Sequence, residues 1–199
     1  LLSIAFVLFP VMSWASLSNV YIGQSAAGAD DGTSCANQHA ATFFNTAGNW
    51  GAGASQIGAG TTAHVCGTWT GGDATNFLQF QGSGSAGNVI TLLFESGAEM
   101  RPNYCAPAGC IDLNANSYLT VDGGTTCGNN GAVAGWTTTT CNGKIQNWTA
   151  GTSTQTCPSG SACVDTSSRS YAIGSGAISA NNIIVQNMAF GPLYTRDPD

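Results

Sequence analysis

The chain has 199 residues, a length for one ordinary domain, with four basic and ten acidic side chains, a net charge of −6 and only 7% charged residues. That balance supplies no basic face for a nucleic-acid partner, and scarce charge with few helix-forming runs argues against a helical bundle. Glycine takes 27 positions, proline is too sparse for a collagen or polyproline chain, and a 43% apolar fraction is enough to build a core and argues against wholesale disorder.

Residues 1–12, LLSIAFVLFPVM, are uncharged and lead into Ser13, Trp14, Ala15 and Ser16. Small residues at Ser13 and Ala15 fit a signal peptide over residues 1–15, cut after Ala15. The run is too short for a spanning helix, which needs about 20 apolar residues, so the mature chain is read without a membrane span. No Met or basic segment precedes Leu1, so the natural start is expected upstream.

Residues 16–60 read as an N-terminal strand and a capping helix. Val20, Tyr21 and Ile22 form the strand, and residues 28–32, GADDG, form a turn. Within SCANQHAATFFNTAGNW, Ser34 is the candidate N-cap, Ala36, His39, Ala40 and Phe43 share a helix face, and Gly48 ends the helix. Such a helix suits the end of a repeat stack, whose apolar cross-section must be covered.

Strand signals dominate residues 61–199. Ala63 to Cys66 leads to Gly67; Leu78 and Phe80 share a face; residues 89–94, VITLLF, form a more continuously apolar strand. Ile111 and Leu113 alternate around Asp112, and Leu119 and Val121 around Thr120. An offset of 64 places Leu119 on Ile183 and Val121 on Val185 (119 to 183, 121 to 185), which predicts three intervening coils of roughly 20 residues each. Residues 123–160, rich in Gly, Thr and Cys, read as an insertion between coils. The competing architecture is an antiparallel sandwich, which also uses many short strands; the repeat favours a right-handed parallel β-helix, all-β, with a short N-terminal capping helix.

The eight cysteines, Cys35, Cys66, Cys105, Cys110, Cys127, Cys141, Cys157 and Cys163, contain no C-x-x-C, and His39 and His64 are the only histidines, so a zinc site is poorly supplied. Disulfides in an oxidising compartment are the better reading, with 105 pairings open in principle. Proximity favours Cys105 with Cys110, Cys127 with Cys141 and Cys157 with Cys163, which leaves Cys35 for Cys66.

The stretches IGAGTTAHVCGTW, QGSGSAGNVITLLFESGAEM, IDLNANSYLTVDGG and NNIIVQNMAF, with Cys35 and the helix after it, resemble the secreted right-handed parallel β-helix proteins of the pectate lyase-like superfamily. The resemblance covers most of residues 20–190. It implies a secreted, extracellular or periplasmic protein of polysaccharide-active type, with a lyase for acidic polysaccharide as the enzyme reading and calcium as its cofactor. It places family chemistry on coils beyond Asp199, so the catalytic coils are expected outside this chain and no catalytic residue is carried over. The alternative is a non-catalytic β-solenoid serving as a surface, adhesion or glycan-binding module, which the few ionisable residues favour.

Asp112, Asp122 and Asp165 sit beside predicted strands and are the calcium candidates, since stacked coils could line their carboxylates on one face; the plainer reading is a turn residue. His39 and His64 read as structural, because neither has a recognisable carboxylate and nucleophile nearby. Residues 82–87, GSGSAG, match G-x-G-x-x-G but precede a strand and not a helix, which makes them a corner. Trp50, Trp69, Trp136, Trp148 and Tyr118 are candidate sugar-stacking rings or core residues. Asn147, Trp148 and Thr149 spell a glycosylation sequon. Arg101, Lys144, Arg169 and Arg196, the only basic residues, are dispersed.

Overall fold

A computed structural model of the chain describes residues 15–72, 74–124, 143–146, 171–176 and 180–190. Alternating apolar residues bounded by glycine and asparagine turns fold here as short strands. These are β1 (Asn19–Gly23), β2 (His39–Ala40), β3 (Thr62–Val65), β4 (Thr68–Gly71), β5 (Leu78–Gln79), β6 (Ile90–Phe94), β7 (Glu99–Pro102), β8 (Ile111–Asp112), β9 (Leu119–Asp122), β10 (Lys144–Ile145), β11 (Ile173–Gly174), β12 (Ile183–Gln186) and β13 (Ala189–Phe190). Every pairing between these strands is parallel. The first sheet has the order β12-β9-β6-β3-β1-β2, the second β13-β10-β7-β4 and the third β11-β8-β5. From β3 onward the chain visits the sheets in the same cycle, so each strand lies beside its counterpart from the previous pass.

The register sets the core. Val20, Ala63, Leu92 and Val121 form one inward row of the first sheet, and Ile22, Val65 and Phe94 another. Trp69, Met100 and Ile145 line the second sheet, and Leu78, Ile111 and Ile173 the third. All but half-buried Ile173 are shielded from solvent and join one apolar cluster. Each large side chain buried this way stabilises by about 1.5–3 kcal/mol. Left-handed residues recur at the corner between the first and second sheets: Gly67 (φ 71), Gly97 (φ 77) and Asn187 (φ 55), types that accept positive φ.

The predicted neighbourhood of Leu119 with Ile183 and Val121 with Val185 is present as direct parallel pairing of β9 with β12. The expected three intervening coils are corrected by that pairing. The two strands are immediate neighbours, so the chain from Leu119 to Ile183 makes one long pass. Undecorated passes in the first sheet are much shorter, running from Thr62 to Thr91 and from Thr91 to Thr120. Ile183 packs on the core, whereas Val185 is 44% exposed, with no described strand beyond it. The predicted continuous apolar strand at 89–94 instead alternates: Ile90, Leu92 and Phe94 are buried, while Thr91 and Leu93 face outward.

The short N-terminal capping helix expected after Ser34 is also corrected. Cys35–Asn37 is a single 3-10 turn, and Ser34 makes no side-chain cap bond. His39 and Ala40 then pair as β2 with Ile22 and Gly23. Among the described residues only Ala41–Asn45 is α-helical, our α1, followed by a 3-10 turn at Ala47–Asn49. Pairing to the exposed edge of β1 outcompetes helix through His39, and the short segment left is too small for a stable helix on its own. α1 is held by tertiary contacts. Phe44 is fully buried against Trp50 and Phe80, and Asn45 bridges the Phe77 carbonyl and the Gln79 N–H.

Cys105–Cys110 is disulfide-bonded as expected from spacing, and Cys35–Cys66 is bonded as the pair left over by that assignment. Cys127, Cys141, Cys157 and Cys163, Asp165, the signal segment before Ala15, the sequon, Trp136 and Trp148 lie outside the described residues. Among the described residues no helix is long and apolar enough to cross a membrane. Leu92 sits mid-row between Ala63 and Val121. Leu92→Ala is therefore expected to destabilise by about 2–5 kcal/mol, read as a lower denaturant midpoint with the slope unchanged; no shift would contradict the packed row.

Candidate functional site

Residues that face away from the core stack in rows as well. On the first sheet, Asn19, Thr62, Thr91, Thr120 and Ile184 are in register, as are Tyr21, His64, Leu93, Asp122 and Gln186. On the second sheet, Thr68, Glu99 and Lys144 are in register, with Thr70 and Arg101 on the same side. Parallel pairing therefore gathers polar residues far apart in sequence onto two outer faces.

The second sheet carries the densest cluster. The Glu99 carboxylate is nearly buried; Oε1 is ion-paired with the Arg101 guanidinium, and Lys144 Nζ lies 3.8 Å from Oε2. Thr68 donates to Oε1 at 3.4 Å, and Gln146 donates to Oε2 at the same distance. The Arg101 side chain keeps 27% of its surface exposed and the Lys144 side chain 12%. Two cations around one carboxylate leave the trio with a net positive charge in a protein that is acidic overall. Such a partly shielded point favours an anion more than a fully solvated charge would.

On the first sheet, His64 is buried to 8% exposure and clamped on both sides. Nδ1 faces Glu95 Oε1 at 2.5 Å, Nε2 faces Asn19 Oδ1 at 2.9 Å, and the Tyr21 ring stacks on the imidazole at 4.2 Å. The orienting carboxylate that the sequence did not reveal is thus Glu95, one pass later. With both ring nitrogens engaged, His64 ties three neighbouring strands together on this face. His39 is placed likewise, with Asp30 at 2.9 Å and Phe43 stacked on it.

Of the calcium candidates, Asp112 and Asp122 lie on different sheets, and Asp165 lies outside the described residues. Asp112 lies on the third sheet, 4% exposed, accepting from Gln79 Nε2 and from the Asn114 and Gly176 N–H groups. Asp122 lies on the first sheet, accepting from Gly124 N–H, Gln186 Nε2 and Asn187 Nδ2. Both carboxylates are engaged in holding successive passes in register. Among the described residues no three His, Cys, Asp or Glu side chains are grouped to hold a metal ion. Of the described rings, Trp69 is fully buried and donates to the Cys66 carbonyl, which makes it core; Trp50 is 8% exposed and donates to the Phe44 carbonyl. The GSGSAG segment is a corner leading to β6.

No family model, no curated protein and no solved structure matches this chain. Its chemistry is therefore read from its own geometry. Sequence reading missed Glu95 and Glu99, and treated Arg101 and Lys144 as scattered. The register supplies the missing signal: Thr68 to Glu99 and Glu99 to Lys144 are single passes.

Burial alone would raise the Asp122 carboxyl, but bonds from Asn187, Gln186 and the Gly124 N–H outweigh it and hold the group below its usual 3.8. A depressed folded value means that the Asp122 contribution to stability is present above the unfolded value and is lost as pH falls through the folded one. Asp122→Asn is therefore expected to flatten the part of the acid-unfolding curve below pH 3.8. Identical acid limbs for the two proteins would contradict this.

Proposed function

We propose that the chain is part of a secreted right-handed parallel β-helix of the pectate lyase-like type, exported to an extracellular or periplasmic space. In this reading its coils engage an acidic polysaccharide along their outer faces. The observation that carries it is the meeting of Arg101 and Lys144 around Glu99 on the outer face of the second sheet. A polymer bearing carboxylates needs cations on a surface that does not otherwise repel it, and half of the chain's four basic residues stand at this one place. A carboxylate can take a bidentate contact from Arg101, while Lys144 acts as a point charge. The two disulfides suit an oxidising compartment.

For the lyase reading, elimination requires a base beside a uronate carboxylate and a cation to neutralise it. The described coils provide the cations but hold both on Glu99, and His64 has both nitrogens occupied. We therefore assign holding of the glycan to these coils and any cleavage to later ones. The second reading, a non-catalytic glycan-binding solenoid, is favoured by one observation: the carboxylates of Glu95, Glu99, Asp112 and Asp122 are all engaged within the fold.

The experiment is binding of pectate, alginate and a neutral glycan, with turnover followed by formation of unsaturated ends, with and without calcium. Acidic glycan is expected to bind with marked salt dependence and no turnover. Arg101→Gln and Lys144→Gln should each weaken pectate binding by about fivefold, the scale of a partly exposed ion pair, and Glu99→Gln should strengthen it. Equal binding of acidic and neutral glycans, unmoved by these substitutions, would overturn the reading. Turnover by the chain would overturn the division of labour.

A further inference from the structure

The first strand of each sheet in a parallel stack presents N–H and C=O groups on its outer side, and a bare edge of this kind takes up further strands. Here β1, β4 and β5 meet that problem, and each is met by a group from residues 24–45. On the first sheet β2 covers β1, with His39 and Ala40 paired to Ile22 and Gly23. The Tyr21 N–H, on the same side, donates to the Gly32 carbonyl at 2.9 Å. Beyond β4 and β5 no described strand follows. Side-chain amides stand there instead. Gln24 Nε2 donates to the Thr70 carbonyl, and the Thr70 N–H donates to Gln24 Oε1 at 2.9 Å. Asn45 Nδ2 donates to the Phe77 carbonyl at 2.9 Å, and the Gln79 N–H donates to Asn45 Oδ1 at 2.8 Å.

A primary amide carries the same donor and acceptor as a peptide group. In a parallel ladder, a residue of an added strand bonds to the two residues that flank its partner. Asn45 makes that pair of contacts around Leu78, so its side chain occupies the place of a strand residue. Gln24 takes both outward groups of Thr70. The three covers belong to one stretch of chain, and Cys35 within it is bonded to Cys66 at the end of β3.

The opposite end of the stack differs. Beyond β11, β12 and β13 no described strand follows, and no described side-chain amide takes the place of one. The inward rows stop there at Val185, 44% exposed, at Phe190, 37% exposed, and at half-buried Ile173. Because every pairing is parallel, the strands at both ends point the same way. The open end of one copy therefore matches the β4 and β5 edges of another, head to tail. A head-to-tail contact of this kind does not close on itself and extends into filaments.

We infer that residues 24–45 are a seal against self-addition: β2, Gln24 and Asn45 occupy the sheet edges at one end, so that the open end of a second copy of this chain finds no edge to extend. The seal acts whether or not the coils hold a glycan.

The test uses the disulfide-intact chain with Gln24→Ala, Asn45→Ala and the double substitution, followed by sedimentation over a range of concentrations. The double variant is expected to show a concentration-dependent rise in mean mass of about twofold or more over wild type, as an open series of oligomers. Hydrogen exchange locates the contact: the Thr70 and Gln79 N–H groups should exchange about tenfold faster than in wild type in dilute solution, and regain protection as oligomers form. Adding Val185→Lys and Phe190→Lys to the double variant puts charge on the open end and should return it to the wild-type mass. Leu92→Ala, which weakens the core and leaves the edges covered, should not produce the series. A folded double variant that sediments as wild type does would overturn the inference. So would association that survives the two lysines, or an equal series from Leu92→Ala. Circular dichroism reports folding; if loss of Asn45 unfolds the chain, Gln24→Ala, at an exposed side chain, decides the matter by the same measurements.

Discussion

In-register parallel stacking is the constraint on which the rest of this structure depends. Each strand hydrogen-bonds to its counterpart from the neighbouring pass, so backbone groups are satisfied between passes and not within them. The register that aligns those bonds also aligns side chains. Val20, Ala63, Leu92 and Val121 form one continuous buried row because each must sit beside the next. A slip of one residue would turn the whole row outward.

The same alignment concentrates the few charges. Separate in sequence, Arg101 and Lys144 reach one carboxylate because β10 lies beside β7. A half-buried charge without a partner is costly, and a buried pair offsets that cost only when its remaining hydrogen bonds are made. Glu99 meets this condition with Thr68 and Gln146. Elsewhere the outer rows use amides and carboxylates as clamps between passes: Gln79 to Asp112, Gln186 to Asp122, and His64 between Asn19 and Glu95. The outer surface is thus partly structural, which separates the clamped first sheet from the cationic point on the second.

Legibility in sequence differs from element to element. The strands around Leu92, Leu119 and Ile183 were readable, because alternation and the offset between 119 and 183 are properties of the linear chain. The number of passes within that offset was not. The short pass from Thr91 to Thr120 and the long one from Thr120 to Ile184 end in the same register, so the ends alone carry no count. The N-terminal region misled for a different reason. Ala36, His39, Ala40 and Phe43 have helical spacing, but the β1 edge offers His39 and Ala40 a ladder, and the Cys35–Cys66 link fixes the chain nearby. Local propensity is a weak prior against such partners.

By itself the sequence determined the β-rich class, the strands around Val20, Ala63, Ile90, Leu119 and Ile183, the corner glycines, the scarcity of charge and the Cys105–Cys110 pairing, since these follow from composition, periodicity and proximity. Tertiary structure alone decided which residues share a row. It set Glu95 on His64, joined Arg101 and Lys144 at Glu99, and kept Asp112 and Asp122 on different sheets. It also brought the Gln24 and Asn45 amides to the β4 and β5 edges, which lie far along the chain from them. The physical reason is that a parallel pass has no fixed length: pairing depends on where the chain returns, and that return is fixed by packing over the whole stack.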